Sequence, residues 1–146
     1  MDPLSPEKRS EVMSKIRSTG NAPELALQQI VKSALSRRKI HLNSNLVPGS
    51  PDIYIPSLKL ALFVHGCFWH SCRTHGTRPH SNVEYWSTKL ESNSARDVRV
   101  QRTLRRLGIG VWVVWEHDLR ARNIESTRER IARRLEYRAD NGRTER

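Results

Sequence analysis

The run Leu58-Lys-Leu-Ala-Leu-Phe-Val64 is apolar at nearly every position and leads straight into His65-Gly66-Cys67. A near-continuous apolar run of this length reads as a strand covered on both faces, in the middle of a sheet. Such a strand needs helices on each side, and the residues after Val64 stand at its end. They form the densest cluster of reactive side chains in the chain: Cys67, Phe68, Trp69, His70, Cys72 and, just beyond, His75. Both cysteines lie here, and His65, His70 and His75 are three of the six histidines.

Other elements fall into place around this strand. Val111–Trp115 is a second clear strand, ending in Glu116-His117-Asp118. Residues 39–47, with Ile40, Leu42 and Leu46 on one face, read as a further strand, followed by the Pro48-Gly49 turn. Asp52 opens a short β-branched and aromatic run. A short basic helix is expected over 5–18, with Ser5 as cap and Pro6 in its first turn. A better helix covers 23–36, where Leu25, Leu27, Ile30, Val31 and Leu35 recur near the helical period, Asn21 can cap and Glu24 takes the capping-box position. A long helix runs from 82 or 83 to 107, carries Trp86, Leu90, Val100, Leu104 and Leu107, and stops at Gly108. Its middle, 92–97, is weakly apolar and is either exposed or lines a cleft. A last helix covers 123–137. The order predicts a single α/β domain with a small mixed sheet: a basic arm over 1–20, the domain over 21–138 and a polar tail over 139–146.

Charge narrows the partner. The net charge is +11, and a basic domain of 146 residues usually meets a polyanion, most often nucleic acid; the plain alternative is a basic surface with no specific partner. The longest apolar run is far too short to span a bilayer. The N-terminus lacks the basic-then-apolar pattern of a signal peptide, which leads us to expect a cytoplasmic protein.

Cys67-x4-Cys72-x2-His75 offers three ligands suited to Zn²⁺, which takes four in a structural site. His117 is the best fourth: if the strands ending at Val64 and Trp115 are parallel neighbours, Cys67 and His117 meet at one end of the sheet. Two buried free thiols or a redox pair are the alternatives, and His70 could ligate in place of His75. A second set is suited to phosphodiester hydrolysis. Asp52 can hold a Mg²⁺ ion and His70 can act as general base, with Glu24 and Asp97 as further carboxylates. Each also has a plain structural reading: Asp52 as a turn residue, Glu24 as a helix cap, Asp97 as a surface ion pair. Phe68 and Trp69 either pack in the core or present rings to a partner; for Trp112 and Trp115 the core is the better reading.

Pro48-Gly49-x-Pro51-Asp52, Phe63-Val-His-Gly-Cys-Phe-Trp-His70, Glu84-Tyr-Trp86, Arg96-Asp97 and Val114-Trp-Glu116 together resemble the very-short-patch-repair (Vsr-type) DNA mismatch endonucleases, in order along nearly the whole chain. The resemblance implies a variant of the restriction-endonuclease (PD-(D/E)XK-like) fold in which a histidine replaces the usual lysine. It implies Mg²⁺-dependent nicking of one strand of double-stranded DNA, 5′ to the mispaired thymine of a T·G pair, and a structural zinc. By the same resemblance Asp52, His70, Glu24 and Asp97 are catalytic, and Asp52 and the backbone carbonyl of Val64 hold Mg²⁺. Cys67, Cys72, His75 and His117 hold zinc, and Phe68, Trp69 and Trp86 wedge into the DNA stack. His65 would pair with phosphate or with another side chain. The expected partners extend to mismatch-repair proteins and, in repair of deaminated 5-methylcytosine, to a cytosine-5 DNA methyltransferase; the expected state is a monomer. Two neighbouring readings are a Vsr-like nuclease with a broader mismatch, homing or restriction role, and a non-catalytic zinc-stapled DNA-binding protein.

Overall fold

A computed structural model of the chain describes residues 22–73 and 81–141. In chain order it has helix α1 (Ala22–Ala34), strands β1 (His41–Leu42) and β2 (Ile53–Ile55), a 3-10 turn (Pro56–Leu58), strand β3 (Leu60–His65), helix α2 (Val83–Arg106), strand β4 (Gly110–Trp115), a second 3-10 turn (Glu116–Leu119) and helix α3 (Ile124–Asn141). The basic helix expected over 5–18, the cap Asn21, the ligand candidate His75 and the tail from 142 onward lie outside the described residues.

The strands form one mixed sheet in the order β1-β2-β3-β4. β2 runs antiparallel to both β1 and β3, while β3 and β4 are parallel, in register from Leu60↔Gly110 to His65↔Trp115. A parallel pair needs a crossover, and α2 supplies it. β3 explains its own composition. Leu60, Leu62 and Val64 face a core built with Leu27, Val31, Ile131 and Leu135 from α1 and α3. Ala61 and Phe63 face a second core with Leu104 and Val100 from α2. Covered on both faces, the strand is apolar at successive positions. Each fully buried leucine here contributes about 2 kcal/mol. This is the small mixed α/β architecture that the sequence predicts.

The helix ends follow local chemistry. Gly108 takes a left-handed backbone (φ 78) just past α2, and the Ile109 N–H returns to the Leu104 carbonyl at 3.0 Å; only glycine enters that conformation freely. At the far end of the sheet, Arg138 of α3 donates to the carbonyls of Leu58 and Lys59, each at 3.1 Å. No helix among the described residues is long and apolar enough to cross a membrane.

Two expectations change. The strand expected over 39–47 shrinks to His41–Leu42. Asn43, Gly49 and Ser50 take positive φ, and the N–H groups of Asn43 and Ser44 reach back to the carbonyls of Asp52 and Pro51. The segment is therefore a folded-back loop, with Leu46 at 67% exposure; turn chemistry outweighs the alternation of apolar residues. Leu25 does not belong to the buried face of α1, being 48% exposed. That face is made of Glu24, Leu27, Gln28, Ile30 and Val31, so two polar residues occupy core positions.

Candidate active site

Because β3 and β4 end in register, the chain leaves both strands at one end of the sheet. The turn after β3 winds tightly. The His70 N–H donates to the Gly66 carbonyl at 3.1 Å and the Cys72 N–H to the Cys67 carbonyl at 2.9 Å, with Ser71 left-handed at φ 55. This brings the two buried thiols together. The turn after β4 carries His117, and the start of α3 fixes that turn: Asn123 donates to the His117 carbonyl at 2.8 Å and the buried Thr127 hydroxyl to the Asp118 carbonyl at 2.6 Å. His117 Nδ1 lies 3.2 Å from Cys67 Sγ and 3.7 Å from Cys72 Sγ. Its Nε2 lies 3.7 Å from Asp118 Oδ1, the arrangement in which a carboxylate orients a metal-binding imidazole. Burial first, then the neighbouring Cys72, pushes the Cys67 thiol above its usual range, against a lowering bond at His117. Neither cysteine is in a disulfide. Their potential ligand atoms and that of His117 all lie within 4.8 Å of one another, a donor set that could hold a thiophilic metal.

On the other side of the same turn is a cleft of about 400 Å³, lined among others by Glu24, Asp52, His65, Trp69, His70 and Asp97. Asp52 stands just before β2 and its Oδ2 accepts the Val64 N–H at 2.7 Å. Its carboxyl is pushed up from 3.8 to about 7; burial is the main cause, the Val64 N–H pulls the other way, and Glu24, hydrogen-bonded to it, raises it further. Two carboxyl groups pressed together in this way favour a shared proton or a cation between them. Glu24 therefore reaches into the cleft from the buried face of α1 rather than serving only its helix end. Asp97, on the weakly apolar stretch of α2, is no isolated surface charge: its Oδ2 lies 2.6 Å from His70 Nδ1. A carboxylate at Nδ1 holds that nitrogen protonated and leaves Nε2 as the acceptor.

His65 is the residue whose place is least legible from sequence. It is 6% exposed and stacks flat on His70, with centroids 3.9 Å apart and planes 8° apart. Its Nε2 is 4.0 Å from Asp97 Oδ1, so it pairs with other side chains. Burial, then His70, lowers its pKa from 6.5 to about 4, opposed by Asp97; at neutral pH the ring is uncharged. Trp115 also departs from expectation. It lies edge-on to His65 at 5.3 Å and parallel to His117 at 6.4 Å, so it stands between the two groups of ligands. Trp112 does pack on the first core, with Arg134 over its ring at 4.3 Å.

Phe68 and Trp69 belong to neither core. With Trp86 from α2 they form a half-buried cluster: Phe68–Trp69 at 5.0 Å, Phe68–Trp86 at 5.4 Å and Trp69–Trp86 at 5.9 Å. The Phe68 and Trp69 rings, the stacked histidines and the carboxylates thus border one cleft, with Trp86 behind the two rings. Of the residues singled out from sequence, the described ones all gather at this end of the sheet.

The first 75 residues match the family model for DNA mismatch endonuclease Vsr. The chain is also 45% identical over 119 residues to the type II nicking enzyme V.XorIIP of Xanthomonas oryzae pv. oryzae, a match covering 81% of this chain and 86% of that one. The chain belongs to the Vsr family. A further Vsr-like relative, the type II nicking enzyme V.NmeAIP of Neisseria meningitidis, is 36% identical over 133 residues, covering 90% of this chain and 92% of the relative. The DNA mismatch endonuclease Vsr of Escherichia coli K12 is 37% identical over 91 residues, 62% of this chain and 58% of that protein. As the motifs implied, this Vsr family member is a DNA endonuclease of the nicking type.

Proposed function

We propose that this Vsr-type endonuclease nicks one strand of duplex DNA 5′ to the mispaired thymine of a T·G pair, with Mg²⁺ as catalytic cofactor, in repair of deaminated 5-methylcytosine. The observation that carries this reading is the bordering of one cleft by the Asp52–Glu24 carboxyl pair, the His70–Asp97 pair and the Phe68 and Trp69 rings, with Trp86 packed against those two rings.

The donors fit the cofactors. A carboxyl whose proton affinity is raised by burial and by a second carboxyl hydrogen-bonded to it suits a hard divalent cation; Asp52 and the Val64 carbonyl would hold it, supported by Glu24. Bound there, Mg²⁺ supplies charge neutralisation at the scissile phosphate. Two thiols and an imidazole oriented by a carboxylate suit zinc; Cys67, Cys72 and His117 would hold it with His75 as the fourth, bracing the turn that carries Phe68, Trp69 and His70.

The chain's own groups then divide the work. His70, fixed by Asp97, takes a proton at Nε2 from the attacking water as its oxygen bonds to phosphorus and the bond to the leaving sugar oxygen breaks, that oxygen taking a proton from solvent water. Neutral His65 stacks under the imidazole and keeps water from that face. The rings enter the helix where stacking is already weakened by the mispair, so insertion costs less there than at a paired step. Arg96, at the cleft, and the rest of the basic surface contact phosphates, which makes binding steeply salt-dependent. β2 and β3, an antiparallel pair bringing Asp52 and His70 together, are consistent with a restriction-endonuclease-like core over 21–138 in which His70 stands for the lysine. The enzyme acts as a monomer, paired in function with a cytosine-5 DNA methyltransferase.

A labelled duplex with a single T·G pair tests this reading. Wild type nicks beside the mispaired thymine when Mg²⁺ is added; His70→Ala and Asp52→Ala do not. Equal cutting of a matched duplex would remove the mismatch claim, and a panel of mismatches in varied contexts separates a broader nuclease from a T·G enzyme.

A further inference from the structure

One face of α2 grips the turn after β3 at three successive residues. Trp86, Leu90, Asn93 and Asp97 recur at steps of four, three and four, and so form a stripe on a single side of the helix. At one end Trp86 meets the rings of Phe68 and Trp69, at 5.4 and 5.9 Å. At the other, Asp97 holds His70 at 2.6 Å. Between them the Asn93 side chain donates from Nδ2 to the Trp69 carbonyl oxygen at 3.0 Å.

That carbonyl and the His70 N–H are the two ends of one peptide unit. The N–H end is also held, donating to the Gly66 carbonyl at 3.1 Å. A peptide unit is planar. Pinned at both ends it cannot rotate, and it fixes the direction in which the Trp69 ring leaves the chain on one side and the His70 imidazole on the other. We propose that Asn93 is a positioning residue that ties nicking to insertion of the aromatic rings: through this plane, the seating of Trp69 in the DNA sets the place of His70 at the phosphate. The inference rests on the mismatch-nicking reading above. It assigns the amide a role distinct from that of Asp97, which acts on the imidazole directly. Without the Asn93 donor the rings still pack on Trp86 and still bind DNA, but a correctly seated ring no longer brings the base into register.

The test uses the full chain with its metals and three substitutions. Asn93→Leu and Asn93→Asp both remove the donor, one neutral and one polar; Asn93→Gln keeps an amide. Single-turnover nicking and Kd are measured on T·G and matched duplexes, with 2-aminopurine beside the mispair reporting unstacking; metal content and melting temperature check the fold. Misplacement of a catalytic group by about 1 Å lowers rates on the order of 100-fold. The expected result is therefore a 10- to 100-fold lower nicking rate, by about that same estimate, for both donor-less variants on the T·G duplex. Kd for Asn93→Leu stays within about threefold, the mismatched-to-matched rate ratio falls toward one, and Asn93→Gln recovers part of the rate. A folded donor-less variant that nicks and discriminates like wild type overturns the proposal, as does a loss that lies wholly in Kd. Wild type cutting both duplexes equally overturns the substrate reading and this one together; wild-type discrimination with unaffected variants overturns this one alone.

Discussion

Replacing Asp52 with asparagine is expected to leave the protein more stable and inactive. Burial, reinforced by Glu24 and opposed by the Val64 N–H, pushes the Asp52 carboxyl from 3.8 to about 7. Between those values the native chain keeps a proton that the unfolded chain has lost. Stability therefore falls as pH rises through this window, and the full penalty is present above pH 7. The difference, 7 minus 3.8, is about 3 pH units, equivalent to about 4 kcal/mol. Residual solvent and relaxation of Glu24 reduce the recoverable part to about 2 kcal/mol. The amide loses none of the needed geometry: its oxygen can accept the Val64 N–H and its NH₂ can donate to Glu24. For a chain of this size that is a rise in melting temperature of about 6 °C. Calorimetry without added Mg²⁺ at pH 8 should show the gain, and the gain should shrink toward zero near pH 4. Millimolar Mg²⁺ should then stabilise wild type and not the variant. A variant no more stable than wild type at pH 8, or equally favoured at both pH values, refutes the reasoning.

The same geometry sets further outcomes. His65, lowered from 6.5 to about 4, has the opposite linkage: its contribution is present above the unfolded value and is lost as pH falls from 6.5 toward 4. His65→Phe, which keeps a flat ring on His70, should therefore gain on wild type in calorimetry as pH drops below about 6, and no such gain refutes the assignment of a neutral buried ring. A Cβ on Gly49 would stand 2.3 Å from Val100 Cγ1 at a φ of +85; Gly49→Ala should destabilise by about 2 kcal/mol in denaturant unfolding, and adding Val100→Ala should return part of the loss. Cys67→Ser should drop bound zinc below about half an equivalent and lower the melting temperature; full zinc content in the variant would count against the thiol site. Trp86→Ala, which removes one ring and the support of Phe68 and Trp69, should lower mismatch preference more than matched-DNA affinity in a binding assay.

How far the sequence can be read depends on whether the decisive contact is local or distant. β3 and β4 are legible because burial on both faces leaves an unbroken apolar run, and their parallel pairing agrees with the helix between them. Cys67 and His117 can be joined for the same reason. Loop 43–52 misleads because Ile40, Leu42 and Leu46 alternate like a strand, while the positive φ of Asn43 and Ser50 reverses the chain. Glu24 carries a local signature of a helix cap, and only the approach of Asp52 shows its other use; a buried helix face that begins with Glu24 and Gln28 is the sign of it. His65 and Trp115 are opaque because strand position alone does not say that their rings will meet edge to face across neighbouring strands. Asn93 is hidden in a polar stretch, although its spacing from Asp97 places both on one side of the helix.

The parallel pairing of β3 with β4 also sets an order in time. Cys67 and His117 are 50 positions apart, and the strands that bring them together are separated in the chain by the whole crossover helix. Contacts between such distant segments are late events in folding, since loop closure must precede them. On a ribosome adding roughly 5–20 residues per second, Asp52, Val64 and His70 emerge well before β4. A nascent chain therefore carries these three residues for seconds without the strand whose end meets the turn holding His70. Competence to cut DNA arrives with the last strand, and truncated chains ending before Gly110 should be inert toward the chromosome.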